Sequence, residues 1–96
     1  MSKFFERTIL ESTDVQAPAI EYAKKRGWFI EAIQSKSRKG FPDTFAARRG
    51  RVVLCEFKRP GEKPSPQQVL RHRQLLDAGV EVVWFDNLAD AKKFFY

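Results

Sequence analysis

The chain has 96 residues, 43% of them hydrophobic, with 18 lysine and arginine side chains against 12 aspartate and glutamate side chains. This length has room for one hydrophobic core, so we expect a single domain spanning residues 1–96. The apolar runs are too short for a membrane-spanning helix, one cysteine cannot form an internal disulfide, and one cysteine with one histidine cannot form a Cys/His zinc site. The N-terminal residues lack the apolar region of a secretory signal, so we expect a cytoplasmic protein.

The first predicted elements are a helix and a strand. Thr13 and Gln16 have the spacing of a capping box, so the helix is expected to begin at Thr13 and to end at Gly27. A strand at residues 28–33 follows, and then a basic polar loop at residues 34–40. This part of the sequence predicts a helix that leads directly into the sheet.

The rest of the chain adds three strands and two helices. Strands at residues 44–47 and 51–58 flank Arg49-Gly50, which predicts an antiparallel hairpin with a two-residue turn. Ser65 and Gln68 form a second capping box at the start of a helix that ends near Ala78, and a strand at residues 80–85 and a helix at 88–95 follow. The order α-β-β-β-α-β-α predicts an α/β fold with a mixed β-sheet flanked by helices.

The positive charge is concentrated in the middle of the chain. Residues 36–73 contain eleven basic and three acidic side chains, a net charge of +8, whereas the whole chain carries +6. Such a region is typical of proteins that bind a polyanion, although a solubilising surface is the alternative. The predicted phosphate-contacting residues are Lys36, Arg38, Lys39, Arg48, Arg49, Arg51, Arg59, Lys63, Arg71 and His72.

Three charged residues within this basic region require an explanation. Glu56 and Lys58 interrupt an apolar strand and, being two apart, point to the same face of the sheet. A two-residue turn at Arg49-Gly50 places Asp43 opposite Glu56, with Cβ atoms about 4.5–5.5 Å apart. Two carboxyl groups at that spacing favour a shared proton or a bound Mg²⁺. A turn aspartate at position 43 and a salt-bridged Glu56–Lys58 pair are the alternatives.

The sequence resembles a known nuclease family in these residues. Gly40-Phe41-Pro42-Asp43 and, after twelve residues, Glu56-Phe57-Lys58 resemble the PD-(D/E)xK signature of the restriction-endonuclease-like superfamily. With Gln68 and His72 in the next helix, the chain is similar to the VRR-NUC family, in particular to its short phage and prophage members. The resemblance covers about residues 11–95.

The resemblance implies a restriction-endonuclease-like fold and a Mg²⁺- or Mn²⁺-dependent endodeoxyribonuclease. Its catalytic residues would be Asp43, Glu56, Lys58 and Gln68, and its metal ligands Asp43, Glu56, the main-chain carbonyl of Phe57 and Glu11. The family's helical glutamate aligns with Ser12, so Glu11 is its nearest substitute in this chain. Gln68 is also the predicted capping residue, and we expect one side chain not to serve both roles fully.

The resemblance also implies a substrate and an assembly. Stand-alone relatives resemble junction-resolving enzymes, so four-way (Holliday) junction DNA and a homodimer are expected, with no membrane partner and no small-molecule cofactor. A nuclease of the same chemistry acting on flaps, nicks or duplex DNA is one alternative. A non-catalytic DNA-binding module is the other.

Overall fold

The structure is a computed structural model that describes residues 15–33 and 39–96. The described elements follow the predicted order, and the predicted α/β fold with a mixed sheet is confirmed. They are helix α1 (Gln16–Lys25), strands β1 (Phe29–Ala32), β2 (Thr44–Arg48) and β3 (Arg51–Phe57), helix α2 (Pro66–Asp77), strand β4 (Glu81–Phe85) and helix α3 (Leu88–Phe95). Among the described helices, none has the length and apolar character needed to cross a bilayer.

The four strands form one sheet in the order β1-β2-β3-β4. Strands β1, β2 and β3 are antiparallel neighbours. Strand β4 is parallel to β3 because α2 returns the chain to the end of the sheet at which β3 begins. Thr44 pairs with Cys55 and Arg48 with Arg51, which is the predicted hairpin register. Asp43 and Glu56 therefore follow directly at the open end of the hairpin.

The hydrophobic core lies on one face of the sheet, under α1 and α3. Alternate residues of β3 enter it, including Val53, Cys55 and Phe57, and the helices contribute small residues and Phe95. Helix α2 lies on the opposite face, and His72 is its one buried side chain. The residues between those of the core, Glu56 among them, therefore face α2.

Capping boxes were predicted at the starts of α1 and α2, and the prediction for α1 needs correction. Ser65 caps α2 as expected, with the complete capping box to Gln68 and Pro66 at the first helical position. Helix α1 instead begins at Gln16 with Val15 as a cap that contributes no side-chain hydrogen bond, and Thr13 lies outside the described residues. The Gln16 side chain donates to Thr44, in β2, over a distance of 2.9 Å.

Candidate active site

Asp43 is fixed at the start of β2 by contacts from three directions. Its main-chain carbonyl accepts a hydrogen bond from the Ile33 amide at 2.7 Å. Its carboxylate accepts one from the Thr44 hydroxyl at 2.7 Å on Oδ1, and a longer one from the Phe57 amide at 3.4 Å on Oδ2. The carboxylate is therefore held beside the end of β3, where Glu56 lies.

Glu56 is a buried carboxyl group next to Asp43. Its side chain is on the helix α2 face of the sheet and is 4% exposed, and its Oε1 atom has no hydrogen-bond partner among the described residues. Burial, the negative charge of Asp43 and a hydrogen bond to Asp43 raise the pKa of Glu56 to about 8. Burial also raises the pKa of Asp43, although the hydrogen bond from Thr44 opposes this. Glu56 is therefore the carboxyl group of the pair that burial and the neighbouring charge favour in its protonated form.

Lys58 reaches the same site from the end of β3. Its amide donates to the Phe85 carbonyl at 2.8 Å, which fixes the backbone, and its Nζ donates to Gln68 Oε1 at 3.2 Å. The same Oε1 atom accepts the Ser65 amide at 2.8 Å. The expectation that capping and the site compete for Gln68 is therefore wrong, because one amide oxygen has lone pairs for both donors.

We predict that Gln68→Ala separates these two contributions when it is compared with Ser65→Ala. Both substitutions break the capping box and should each lower the free energy of unfolding by about 1 kcal/mol. Only Gln68→Ala releases Lys58, so it alone should lower kcat, by about 10-fold or more. Thermal unfolding and cleavage kinetics of both variants test this. Equal activities would show that Gln68 acts as a cap alone.

His72 lies next to Glu56, on the face of α2 that is turned toward the sheet. Its ring is 9% exposed, and Nε2 is 3.8 Å from Glu56 Oε1. Neither atom has a hydrogen-bond partner, and burial lowers the pKa of His72. The ring therefore packs close to a site carboxyl group on the inner face of α2, and its contact with DNA stays a prediction.

The predicted phosphate-contacting residues fall into two groups. Arg48, Arg49 and Arg51 are at the hairpin tip, roughly 16 Å along the strands from Asp43. Arg48 stacks on Trp28 with its guanidinium carbon 4.6 Å from the ring centroid, and donates to the Arg26 carbonyl at 2.8 Å.

Arg51 is engaged in the same way, since its Nε donates to Glu81 at 2.9 Å and its guanidinium lies over Phe94. The structure therefore does not bring the hairpin-tip arginines to the carboxyl pair. Arg48 and Arg51 are also held by contacts within the chain.

The second group lies around the start of α2, which carries Gln68. Arg71 donates to the Lys39 carbonyl at 3.3 Å, so these two residues are adjacent. Arg59, which directly follows Lys58, forms an ion pair with Glu62 at 2.6 Å, and Lys63 is exposed. Of the described cations in this group, Lys39 and Arg59 are close in sequence to the site residues Asp43 and Lys58. The predicted residues Glu11, Lys36 and Arg38 lie outside the described residues.

Two residues at the site were not predicted from the sequence, Gln16 and Thr44. Thr44 is fully buried, and its hydroxyl links the Gln16 amide to the Asp43 carboxylate. A hydroxyl residue directly after the predicted ligand Asp43 was the available signal for Thr44. Gln16 carried no such signal, because its contact to Thr44 spans 28 residues of sequence.

The described residues supply part of a site for a hard divalent cation. Asp43 and Glu56 offer carboxylate oxygens, the ligands that Mg²⁺ prefers, and the unpartnered Oε1 of Glu56 is a buried atom that a cation would satisfy. Within residues 15–33 and 39–96, no group of three or more His, Cys, Asp and Glu side chains has a metal-binding arrangement. The donor set therefore fits Mg²⁺ or Mn²⁺ held by two carboxylates, main-chain oxygen and water.

Comparison with known proteins defines the class to which this fold belongs. No family model matches the chain. A structure described as a VRR_NUC domain has a TM-score of 0.78 and 24% identity, with 88% of this chain and 92% of that chain covered. A second, described as a VRR_NUC domain protein, has a TM-score of 0.73 and 19% identity, with 88% and 84% covered. The chain therefore has the VRR_NUC fold, which confirms the predicted restriction-endonuclease-like architecture.

A curated relative agrees with this class. "Putative nuclease p44" from Acyrthosiphon pisum secondary endosymbiont phage 1 is 29% identical over 80 residues, which are 82% of this chain and 86% of that protein. The similarity to VRR-NUC proteins of phage type that the sequence motifs indicated is thus confirmed by an independent relative and by the fold.

Proposed function

We propose that this protein is a divalent-metal-dependent nuclease that hydrolyses phosphodiester bonds in DNA. The observation that carries the proposal is the pair formed by the half-buried Asp43 and the buried Glu56, with Lys58 held nearby by Gln68. A buried carboxyl group whose pKa is raised by burial and by a neighbouring carboxylate is costly in a fold unless a cation or a reaction uses it. The VRR_NUC fold and the phage relative named as a nuclease support the same activity.

The metal site of the proposed enzyme would consist of Asp43, Glu56 and the main-chain carbonyl of Phe57. If Mg²⁺ or Mn²⁺ were held by these residues, it would supply Lewis-acid chemistry and make a water molecule a better nucleophile. Asp43 contributes a carboxylate whose orientation is fixed by two hydrogen bonds. Glu56 contributes an oxygen that accepts no hydrogen bond from any other described group.

Lys58 has a separate part in the proposed reaction. Its ammonium group, held by the Gln68 oxygen, can orient the attacking water and offset the charge that develops on the phosphate. Lys39, Arg59, Lys63 and Arg71 would hold the flanking phosphates. Because such contacts release counterions, cleavage at low substrate concentration should weaken steeply as salt increases.

We further propose a four-way junction as the substrate and a homodimer as the active species. Exposed apolar side chains of helix α2 and strand β4 support the homodimer. Val69, Leu70 and Leu76 of helix α2 are each about half exposed, and Trp84 of β4 is 39% exposed. Burial of these residues against a second copy would remove apolar surface from water and give two active sites related by a twofold axis.

The test is cleavage of labelled four-way junction, flap, nicked, duplex and single-stranded DNA in Mg²⁺, in Mn²⁺ and in chelator. We expect paired incisions in the junction that require metal, and a mass in solution of about twice 11.2 kDa. Lys58→Met should lower the rate by at least about 100-fold. Lys24→Met, which removes an exposed lysine at the end of α1, serves as the matched control and should retain activity.

Each alternative has its own result in this experiment. Metal-dependent cleavage of flap or duplex DNA, with the junction intact, would retain the active site and replace the substrate. Salt-sensitive binding without cleavage of any substrate would overturn the nuclease proposal in favour of a DNA-binding module.

A further inference from the structure

We propose that Gln16 and Thr44 are positioning residues that orient the Asp43 carboxylate for metal binding and so set the metal affinity of the site. This inference rests on the proposed function, since it assigns a role within the same metal site. It concerns two residues from separate elements, helix α1 and strand β2, neither of which would touch the metal or the DNA.

The hydrogen bonds form a chain with a defined direction. Gln16 Nε2 can only donate, so the Thr44 hydroxyl oxygen accepts its hydrogen bond at 2.9 Å. The hydroxyl proton of Thr44 is then directed to Asp43 Oδ1 at 2.7 Å. Because a hydroxyl group has one proton, the contact with Gln16 leaves Thr44 as a donor toward the carboxylate.

The surroundings of Thr44 make this contact effective. Its side chain is fully buried, so water does not compete for the hydroxyl group. The other carboxylate oxygen, Oδ2, accepts a longer hydrogen bond from the Phe57 amide, at 3.4 Å. Oδ1 is therefore the more firmly held of the two oxygens, and Thr44 determines how the carboxylate plane is turned.

A purely structural role accounts less well for a threonine at this position. Valine has nearly the same shape, suits a β-strand and would be buried without a polar atom to satisfy. The hydroxyl group adds no packing that valine lacks, but it adds the link between Gln16 and Asp43. Hydrogen bonds to the ligands of a metal typically change its affinity by about 10- to 100-fold, which is the effect expected here.

The experiment compares Thr44→Val, Thr44→Ser and Gln16→Leu with the wild type. Mn²⁺ binding to the full chain without DNA is measured by electron paramagnetic resonance, and the Mn²⁺ concentration for half-maximal cleavage is measured separately. Thr44→Val should weaken Mn²⁺ binding by about 10- to 100-fold, with a smaller change in the rate at saturating Mn²⁺. Thr44→Ser should restore most of the affinity, and Gln16→Leu should have an intermediate effect.

The outcomes separate this inference from the proposed function. A folded Thr44→Val variant that binds Mn²⁺ as tightly as the wild type would overturn the inference while the nuclease activity stands. Wild-type protein that neither binds Mn²⁺ nor cleaves DNA would overturn both. If Thr44→Val is unstable, the comparison of Thr44→Ser with Gln16→Leu decides. A serine variant that loses as much Mn²⁺ affinity as the leucine variant would contradict a role for the hydroxyl group.

Discussion

Replacement of Glu56 by glutamine is expected to abolish cleavage and, at the same time, to stabilise the metal-free protein. Glutamine has the shape of the carboxyl group but lacks the charge that would bind the metal, so the rate should fall by about 1,000-fold or more. The gain in stability follows because ionisation of the buried Glu56 carboxyl group beside Asp43 is costly, and glutamine carries no charge. Sites built for catalysis commonly reduce stability in this way.

The pH dependence of this gain follows from the pKa of Glu56, which is raised from 4.5 to about 8 on folding. Between these values the Glu56 carboxyl group binds more protons in the folded state than in the unfolded state, so its contribution to stability is fully present below pH 4.5 and is lost as the pH rises to about 8. Glutamine does not titrate and avoids this loss. We expect a gain on the order of 1–2 kcal/mol at pH 8 in chelator, or roughly 4–8 °C per kcal/mol in Tm.

Thermal unfolding of both proteins across this pH range, with and without Mn²⁺, is the measurement. Mn²⁺ should raise the Tm of the wild type and leave that of Glu56→Gln nearly unchanged, because bound ligand stabilises the folded state that it binds. Glu21→Gln removes an exposed carboxyl group of α1 and provides the control. A Glu56→Gln variant that is less stable than the wild type at pH 8 in chelator would contradict the cost assigned to the pair.

The approach of Asp43 to Glu56 was predictable because local rules determine it. Arg49 and Gly50 both have positive φ, 53° and 83°, as a two-residue hairpin turn requires. The turn fixes the register of β2 against β3, and the register places the two carboxyl groups at one end of the hairpin. Because successive side chains of β3 point to opposite faces of the sheet, Cys55 lies in the core and Glu56 lies on the other face.

The remaining site contacts depend on how helices pack, which the local sequence does not determine. His72 shares a helix face with Gln68, but only the position of α2 on the sheet turns that face toward Glu56. The same limit applies to Gln16, whose partner Thr44 lies in another element. The excess of cations was visible in the sequence, whereas the stacking of Arg48 on Trp28 required the folded structure.

Gly40→Ala is expected to cause a large loss of stability and, with it, the loss of the site. Gly40 has a φ of +84°, and an added Cβ would lie 2.5 Å from the Gln67 carbonyl oxygen and 2.9 Å from the Gln68 amide nitrogen. These are backbone atoms of the first turn of α2, so no side-chain rotation relieves the contact. Backbone strain and overpacking together should cost about 2–5 kcal/mol, and Tm should fall by more than about 10 °C.

Gly61→Ala is the matched control for this prediction. Gly61 has the same φ of +84°, but no atom lies within 4 Å of its added Cβ, so only the backbone strain remains. That strain alone should cost about 1 kcal/mol, and the variant should stay folded and active. Thermal unfolding of the two variants isolates the effect of the close contact between the Gly40 loop and α2. This contact links the segment that carries Asp43 to the helix that carries Gln68. Equal losses in the two variants would show that this contact contributes nothing, and the glycine before Pro42-Asp43 would then be explained by its backbone conformation alone.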